Sequence, residues 1–298
     1  MTERGDRLLM RRKWLMILFG VVLLALAGCS SDQLSDEEAE SLLNEISLMA
    51  LENGNIKEIE KKIDENIDKL KKEQASDAVN ALLYAIHMKI PDFSSKMSGM
   101  QDAIYKYEDK GIDFNDPASF SQIEDATLKA FLQELHDNYF LVHEEAGVYL
   151  ANPNVSYVLN KYRSYMNEDL LAWTEFVSNE YEESVFDEDK QQFKLDLLVK
   201  RIIELEDNIK RFSDSNFLSG FENAKNYYYQ VYFGVNHEFF VDGDQKVLDE
   251  VIQHYKQTIE QYPDSQLSKD LKLYVEKLES EGNKMTDNIY AFLADLTK

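Results

Sequence analysis

The side chains best suited to metal ligation or nucleophilic attack are few: five histidines and one cysteine, set among 56 acidic residues in 298. His87, His136, His143, His237 and His254 include no His-x-x-x-His or His-Glu-x-x-His pair, the spacing that sets two zinc ligands on one helical face. His136 and His143, read as one helix, lie two turns and about 10 Å apart, too far to share an ion without a second helix. They are expected to flank an apolar stripe. Asp242-Gly243-Asp244 opens like a calcium loop, but position twelve, where that loop needs Glu, is Gln253. A polar turn ahead of the next helix is the expected role. No Gly-rich phosphate loop and no Gly-x-Ser-x-Gly elbow occur. Acidic runs such as Glu144-Glu145, Glu182-Glu183 and Asp187-Glu188-Asp189 are what so acidic a chain places on solvated helix faces. No catalytic residue, metal ligand or cofactor site is therefore expected.

One constellation suits recognition instead. Tyr227, Tyr228 and Tyr229 are followed by Tyr232 and Phe233. Consecutive helical positions point about 100° apart, so three cannot face one core, and at least one Tyr is expected on a surface or in a groove. Tyr and Phe there would supply rigid contact area with a polar handle. Packing of the helix on two sides is the competing reading.

The cysteine stands in a telling place. Arg11, Arg12 and Lys13 precede an apolar run from Trp14 to Leu26, and Leu26-Ala27-Gly28-Cys29 is followed by Ser30, Ser31 and Asp32. A basic stretch, a short apolar stretch and small residues at its end read as a secretory signal. The run is shorter than the roughly 20 residues of a spanning helix. Leu-Ala-Gly-Cys resembles the lipobox of bacterial lipoproteins. The resemblance implies cleavage between Gly28 and Cys29, removal of residues 1–28, and a diacylglyceryl group on the Cys29 thiol as membrane anchor. Met10 offers a second start that would shorten the leader. From Cys29 onward Lys outnumbers Arg 24 to 3, as often in AT-rich Gram-positive genomes, which would place the anchor in the cell membrane; Ser30 would equally suit outer-membrane sorting in a Gram-negative cell.

Charge follows the same division. The chain carries −24 overall and −27 from Cys29 onward. That balance opposes nucleic-acid binding. It also holds the body off anionic headgroups. Residues 29–38 read as the lipidated Cys and a polar tether.

The body, 39–298, must position any site with helices. Ser35-Asp36-Glu37-Glu38 is a capping box. Ile56, Ile59, Ile63, Ile67 and Leu70 keep helical spacing, and further helices are expected from 76 to 90 and from 94 to 110. Leu128, Leu132, Leu135, Tyr139, Val142, Ala146 and Leu150 predict one long helix from Pro117 to about 150. Leu195, Leu198, Ile202, Leu205, Ile209 and Phe212 repeat at intervals of three and four. Helices are also expected at 155–166, 169–181, 215–233, 245–262, 266–281 and 284–296. No segment alternates with period two, and four Pro and 11 Gly give little turn punctuation for a sheet protein. The fold class is all-α, an irregular set of helical hairpins or a bundle, with 39–150 and 151–298 as candidate subdomains.

Tyr262-Pro263-Asp264-Ser265, preceded by Tyr255 and Ile259, resembles the turn after the second helix of tetratricopeptide-type repeats. That resemblance implies a helical-repeat solenoid toward the C-terminus. The small residues such repeats place between paired helices are mostly missing. The expected function is a membrane-anchored, extracytoplasmic scaffold for protein or peptide partners, basic ones being favoured by charge. A solute- or cation-binding lipoprotein serving uptake is the alternative.

Overall fold

The computed structural model describes residues 33–52, 54–187, 190–235 and 239–296. Gly28, Cys29 and His237 lie outside them. Thirteen α-helices and two short antiparallel strand pairs make up the described residues, so the fold is all-α. No described helix is long and apolar enough to cross a membrane.

Helix α1 (Asp36–Leu51) starts where the capping box places it: Glu38 N–H donates to Ser35 Oγ at 3.3 Å and Ser35 N–H to Glu38 Oε2 at 2.9 Å. It turns into α2 (Ile56–Asp64) through Gly54, whose N–H donates to Met49 O at 2.8 Å. A Cβ on Gly54 would stand 2.6 Å from that oxygen, so only glycine closes the turn this tightly. Asn55 caps α2, accepting from Lys57 N at 2.9 Å. Helix α3 (Lys72–Met88) packs on both. Pro91 lies in the first turn of α4 (Ile90–Ser98). The predicted helix 94–110 is broken at Gly99-Met100, beyond which runs α5 (Gln101–Glu108).

The predicted helix from Pro117 to 150 is not formed as one element. Pro117 opens a 3-10 segment, Pro117–Gln122, and α6 spans only Ala126–Asp137. Tyr139 then takes φ +60°, and β1 (Phe140–Glu145) pairs antiparallel with β2 (Val148–Pro153). Phe140, Val142, Tyr149 and Ala151 point to the core, which is the period-two signature of a strand. Val142, Ala146 and Leu150 also fit a helical stripe, so the two periods coincide locally. The turn is Ala146-Gly147, both at positive φ. It fills the role usually signalled by Asn-Gly. Both outer edges of the hairpin are closed by side-chain amides. Asn115 exchanges two hydrogen bonds with the Val142 backbone, at 2.7 and 2.9 Å. Gln101 does the same with Tyr149, at 2.7 and 2.9 Å. His136 and His143 consequently sit on different elements, α6 and β1.

Beyond Asn154, which caps it, α7 (Val155–Tyr162) leads to α8 (Glu168–Glu182). A small pair, β3 (Phe186–Asp187) with β4 (Gln192–Phe193), precedes α9 (Leu195–Arg211), the helix of the three-four repeat. Helix α10 (Leu218–Tyr232) packs against α9. Helices α11 (Asp249–Gln261) and α12 (Gln266–Ser280) form a second hairpin, and α13 (Asp287–Leu296) packs on α12. Ser265 caps α12, accepting from Ser268 N at 3.0 Å.

Buried side chains fall into two clusters. One runs from Ala39 to Leu170 and the other from Phe176 to Leu293. They meet within α8, beyond the 150/151 position suggested by the sequence.

Candidate functional site

Buried polar side chains gather in a few clusters that bond mainly within themselves. Glu60 on α2 is buried and accepts from Tyr139 Oη, from Tyr157 Oη at 2.9 Å and from Lys161 Nζ at 2.7 Å. Lys161 also reaches Asp64 Oδ2 at 2.7 Å, and Tyr162 Oη donates to Asp64 Oδ1 at 2.6 Å. Burial and the hydrogen bond to Glu60 raise the Tyr139 phenol above its ordinary value. The rings of Tyr139 and Tyr157 stack at 4.6 Å, with both hydroxyls on the Glu60 carboxylate. This network ties α2 to α7. In the second core, Arg201 pairs with Glu180, donates to Tyr228 Oη at 2.9 Å and reaches Asn179 O at 3.0 Å. Glu206 accepts from Tyr229 Oη at 2.9 Å and from the first N–H groups of α12, Gln266 at 2.9 Å and Leu267 at 2.7 Å. It is a cap supplied from another helix, favoured by the dipole.

Asp196, His254, Tyr232 and Thr258 form a chain of hydrogen bonds at 3.0, 2.8 and 2.9 Å. The order resembles a catalytic relay, but Tyr232 is 0% exposed, so its hydroxyl meets no substrate. Asp242 Oδ1 accepts from Asp244 N and Lys246 N, both at 2.9 Å, making the polar turn. Among the described residues no three His, Cys, Asp or Glu converge as a metal site.

The aromatic run divides sharply. Tyr227 is 55% exposed, whereas Tyr228, Tyr229, Tyr232 and Phe233 are all buried at 3% or less. The five side chains present no common outer face. Four of them hold α10 into the second core.

Among the described residues two grooves of about 380 Å³ are open: a polar one lined by Ser156, Glu175, Glu182 and Glu204, and an apolar one where the two cores meet. Two helices frame the apolar groove. Asn167 N–H donates to Ser76 Oγ at 3.0 Å and Lys72 Nζ to Ser164 O at 2.5 Å, so α8 begins beside the first half of α3. Leu83, Tyr84 and His87 line one wall, Trp173, Val177 and Tyr181 the other, and Phe217 closes it, over a volume of about 380 Å³. Pro153 and Val155, just beyond the hairpin, form part of the lining. Thr174 is buried there with its hydroxyl donating to Leu170 O at 2.7 Å, which leaves that stretch apolar. Trp173 is braced by Phe217, stacked at 6.2 Å, and by Phe221, edge-on at 5.3 Å. Gly220 on α10 allows this: a Cβ there would stand 2.8 Å from the indole ring. Tyr84 and Tyr181 are 42% and 36% exposed, so both walls of the groove reach water.

Sequence reasoning missed this groove. Its residues come from four separated stretches, and none forms a motif. The lone tryptophan of the body, Trp173, was the available signal.

No protein-family model matches this chain, and neither a curated protein nor a solved structure matches it.

Proposed function

We propose that the chain is a lipid-anchored, extracytoplasmic helical protein that binds a protein or peptide partner through the groove between α3 and α8. Cys29 carries the anchor, and the polar tether holds the acidic body clear of the headgroups. One observation carries the binding half: an apolar, aromatic-walled groove of about 380 Å³ stays open to water. The lipobox resemblance supports the anchoring half. The C-terminal hairpins α11 to α13, with the Tyr262–Ser265 turn, suit a tetratricopeptide-like scaffold, though the groove is not formed from them.

The test is site-specific photo-crosslinking in native membranes from Tyr84 and Tyr181, with exposed Leu273 on α12 as control. A partner captured at both groove positions and not at Leu273 supports the reading, and capture independent of position defeats it. Mass spectrometry of the N-terminal peptide tests the anchor: a diacylglyceryl Cys29 is expected, and an unmodified, uncleaved leader defeats that half. Uptake of a small solute is the second reading, favoured by a groove volume within the range of small-molecule pockets.

A further inference from the structure

The groove is polarised. Asp77 lies on α3 one turn before Asn80, which lines the groove, and Asp169 lies on α8 one turn before Trp173. The Ser76–Asn167 hydrogen bond brings the second turn of α3 beside the first turn of α8. Glu73, a further turn back on α3, joins them. Of the three, Asp169 is engaged, accepting from Ser215 Oγ at 2.7 Å and from Leu170 N at 2.9 Å. No cation pairs with Asp77 in the described structure. Partial burial, with the charges of Glu73 and Asp169 beside it, holds the Asp77 carboxyl above its ordinary value. Asp77 is exposed and falls on the α3 face that carries Asn80 and Tyr84, one turn before the groove lining begins, and an unpaired carboxylate there is complementary to a ligand with an apolar body and a cationic end.

We infer that the occupant of the groove is a basic amphipathic peptide segment of the partner, with an aromatic or branched apolar side chain against Trp173 and Tyr84 and a Lys or Arg at Asp77. This rests on the peptide-binding reading above and adds direction and charge to it. The two helices are aligned from that shared joint, so they present the acidic end first and the apolar walls beyond it. The arrangement is that of a helical or extended segment laid into a hydrophobic groove. A net charge of −27 from Cys29 onward adds long-range attraction for such a segment.

Trp173 is the reporter. From Cys29 onward it is the sole indole, with Trp14→Phe removing the other should any leader be retained, and it sits in the groove wall. The probe is a synthetic peptide of about fourteen residues with Phe and Leu at helical spacing and Lys between them. Two controls replace its Lys by Glu or its Phe and Leu by Ser. The full chain is held in zwitterionic nanodiscs, and Trp173 emission is titrated. Saturable binding of the Lys peptide is expected, at least about tenfold weaker for the Glu peptide and about tenfold weaker with Asp77→Asn. Glu250→Gln on α11, which removes the same charge elsewhere, should leave the affinity unchanged. Gly220→Ala, which drives Trp173 from its seat, should weaken every peptide.

Equal binding of Lys and Glu peptides, with no effect of Asp77→Asn, would overturn the charge assignment and leave the groove reading standing. Equal loss with Glu250→Gln and Asp77→Asn would mean attraction to the acidic surface at large, and also overturns it. Absence of any saturable change for all peptides, including the Lys peptide, would defeat the groove itself as a peptide site.

Discussion

Asp77 shows how a single residue can be ill-placed for stability. Its carboxyl has a higher pKa in the folded chain than in the unfolded one, so folding disfavours the charged form. Above the folded value Asp77 detracts from stability, and below the unfolded value, about 3.9, it contributes nothing. Asp77→Asn is therefore expected to raise Tm at neutral pH, with the gain shrinking as pH falls through the carboxylate range. A constant difference between neutral pH and pH 3 would refute this. Glu60 is the opposite case. Glu60→Ala leaves Tyr139 and Tyr157 hydroxyls and one Lys161 contact without their acceptor, and should cost about 2–3 kcal/mol by urea unfolding. Glu60→Gln should cost less. The tyrosine run separates by burial: Tyr227→Ala should stay within about 0.5 kcal/mol, and Tyr228→Ala should cost about 3–5 kcal/mol. Similar values for both would show that α10 is rotated from the described arrangement. The sequence indicated that three adjacent tyrosines cannot share a face. Which one faces water depends on where α9 and α12 lie.

Among the elements, helices with strong amphipathic spacing and capping residues formed close to where the sequence placed them. Ser35, Asn55 and Ser265 each cap the helix they precede, and α9 covers the repeat from Leu195 almost to Phe212. The stretch 117–150 did not, because its apolar residues satisfy two periods at once. A helix through it would have turned Phe140 away from the apolar stripe, and the amides of Asn115 and Gln101 supply the partners that an isolated hairpin lacks. The turn itself is testable. Gly147 sits at φ +76° with no atom near its missing Cβ, so Gly147→Ala should cost about 1 kcal/mol through backbone strain alone. Hydrogen exchange should show the added opening confined to β1 and β2. Uniform loss of protection across α1 to α6 would contradict a local effect.

At the scale of the molecule, two hydrophobic cores share α8, which gives Leu170 to one and Phe176 to the other. The groove is a consequence of that sharing: the walls belong to helices that each core fixes separately, and their facing sides are not filled by either. Net charge acts on the whole. Many like charges on one compact body repel, and screening should relieve them. Tm is expected to rise as NaCl goes from about 10 mM to about 0.5 M, where the Debye length falls below about 5 Å. A fall in Tm would show that the surface ion pairs, such as Lys71–Asp36 and Lys256–Glu279, outweigh the repulsion.

The amino-acid sequence by itself determined the fold class, most helix starts and the acidic character, because periodicity, capping and charge are local or additive properties. It also carried the lipobox resemblance, which depends on a run of adjacent residues. Only the tertiary structure decided which tyrosines are buried, where the chain abandons helix for a hairpin, and that Tyr84, Trp173 and Phe217 border one groove. Those outcomes depend on contacts between stretches far apart in the chain. Such contacts are set by how whole faces pack, and the spacing within any one stretch does not record them.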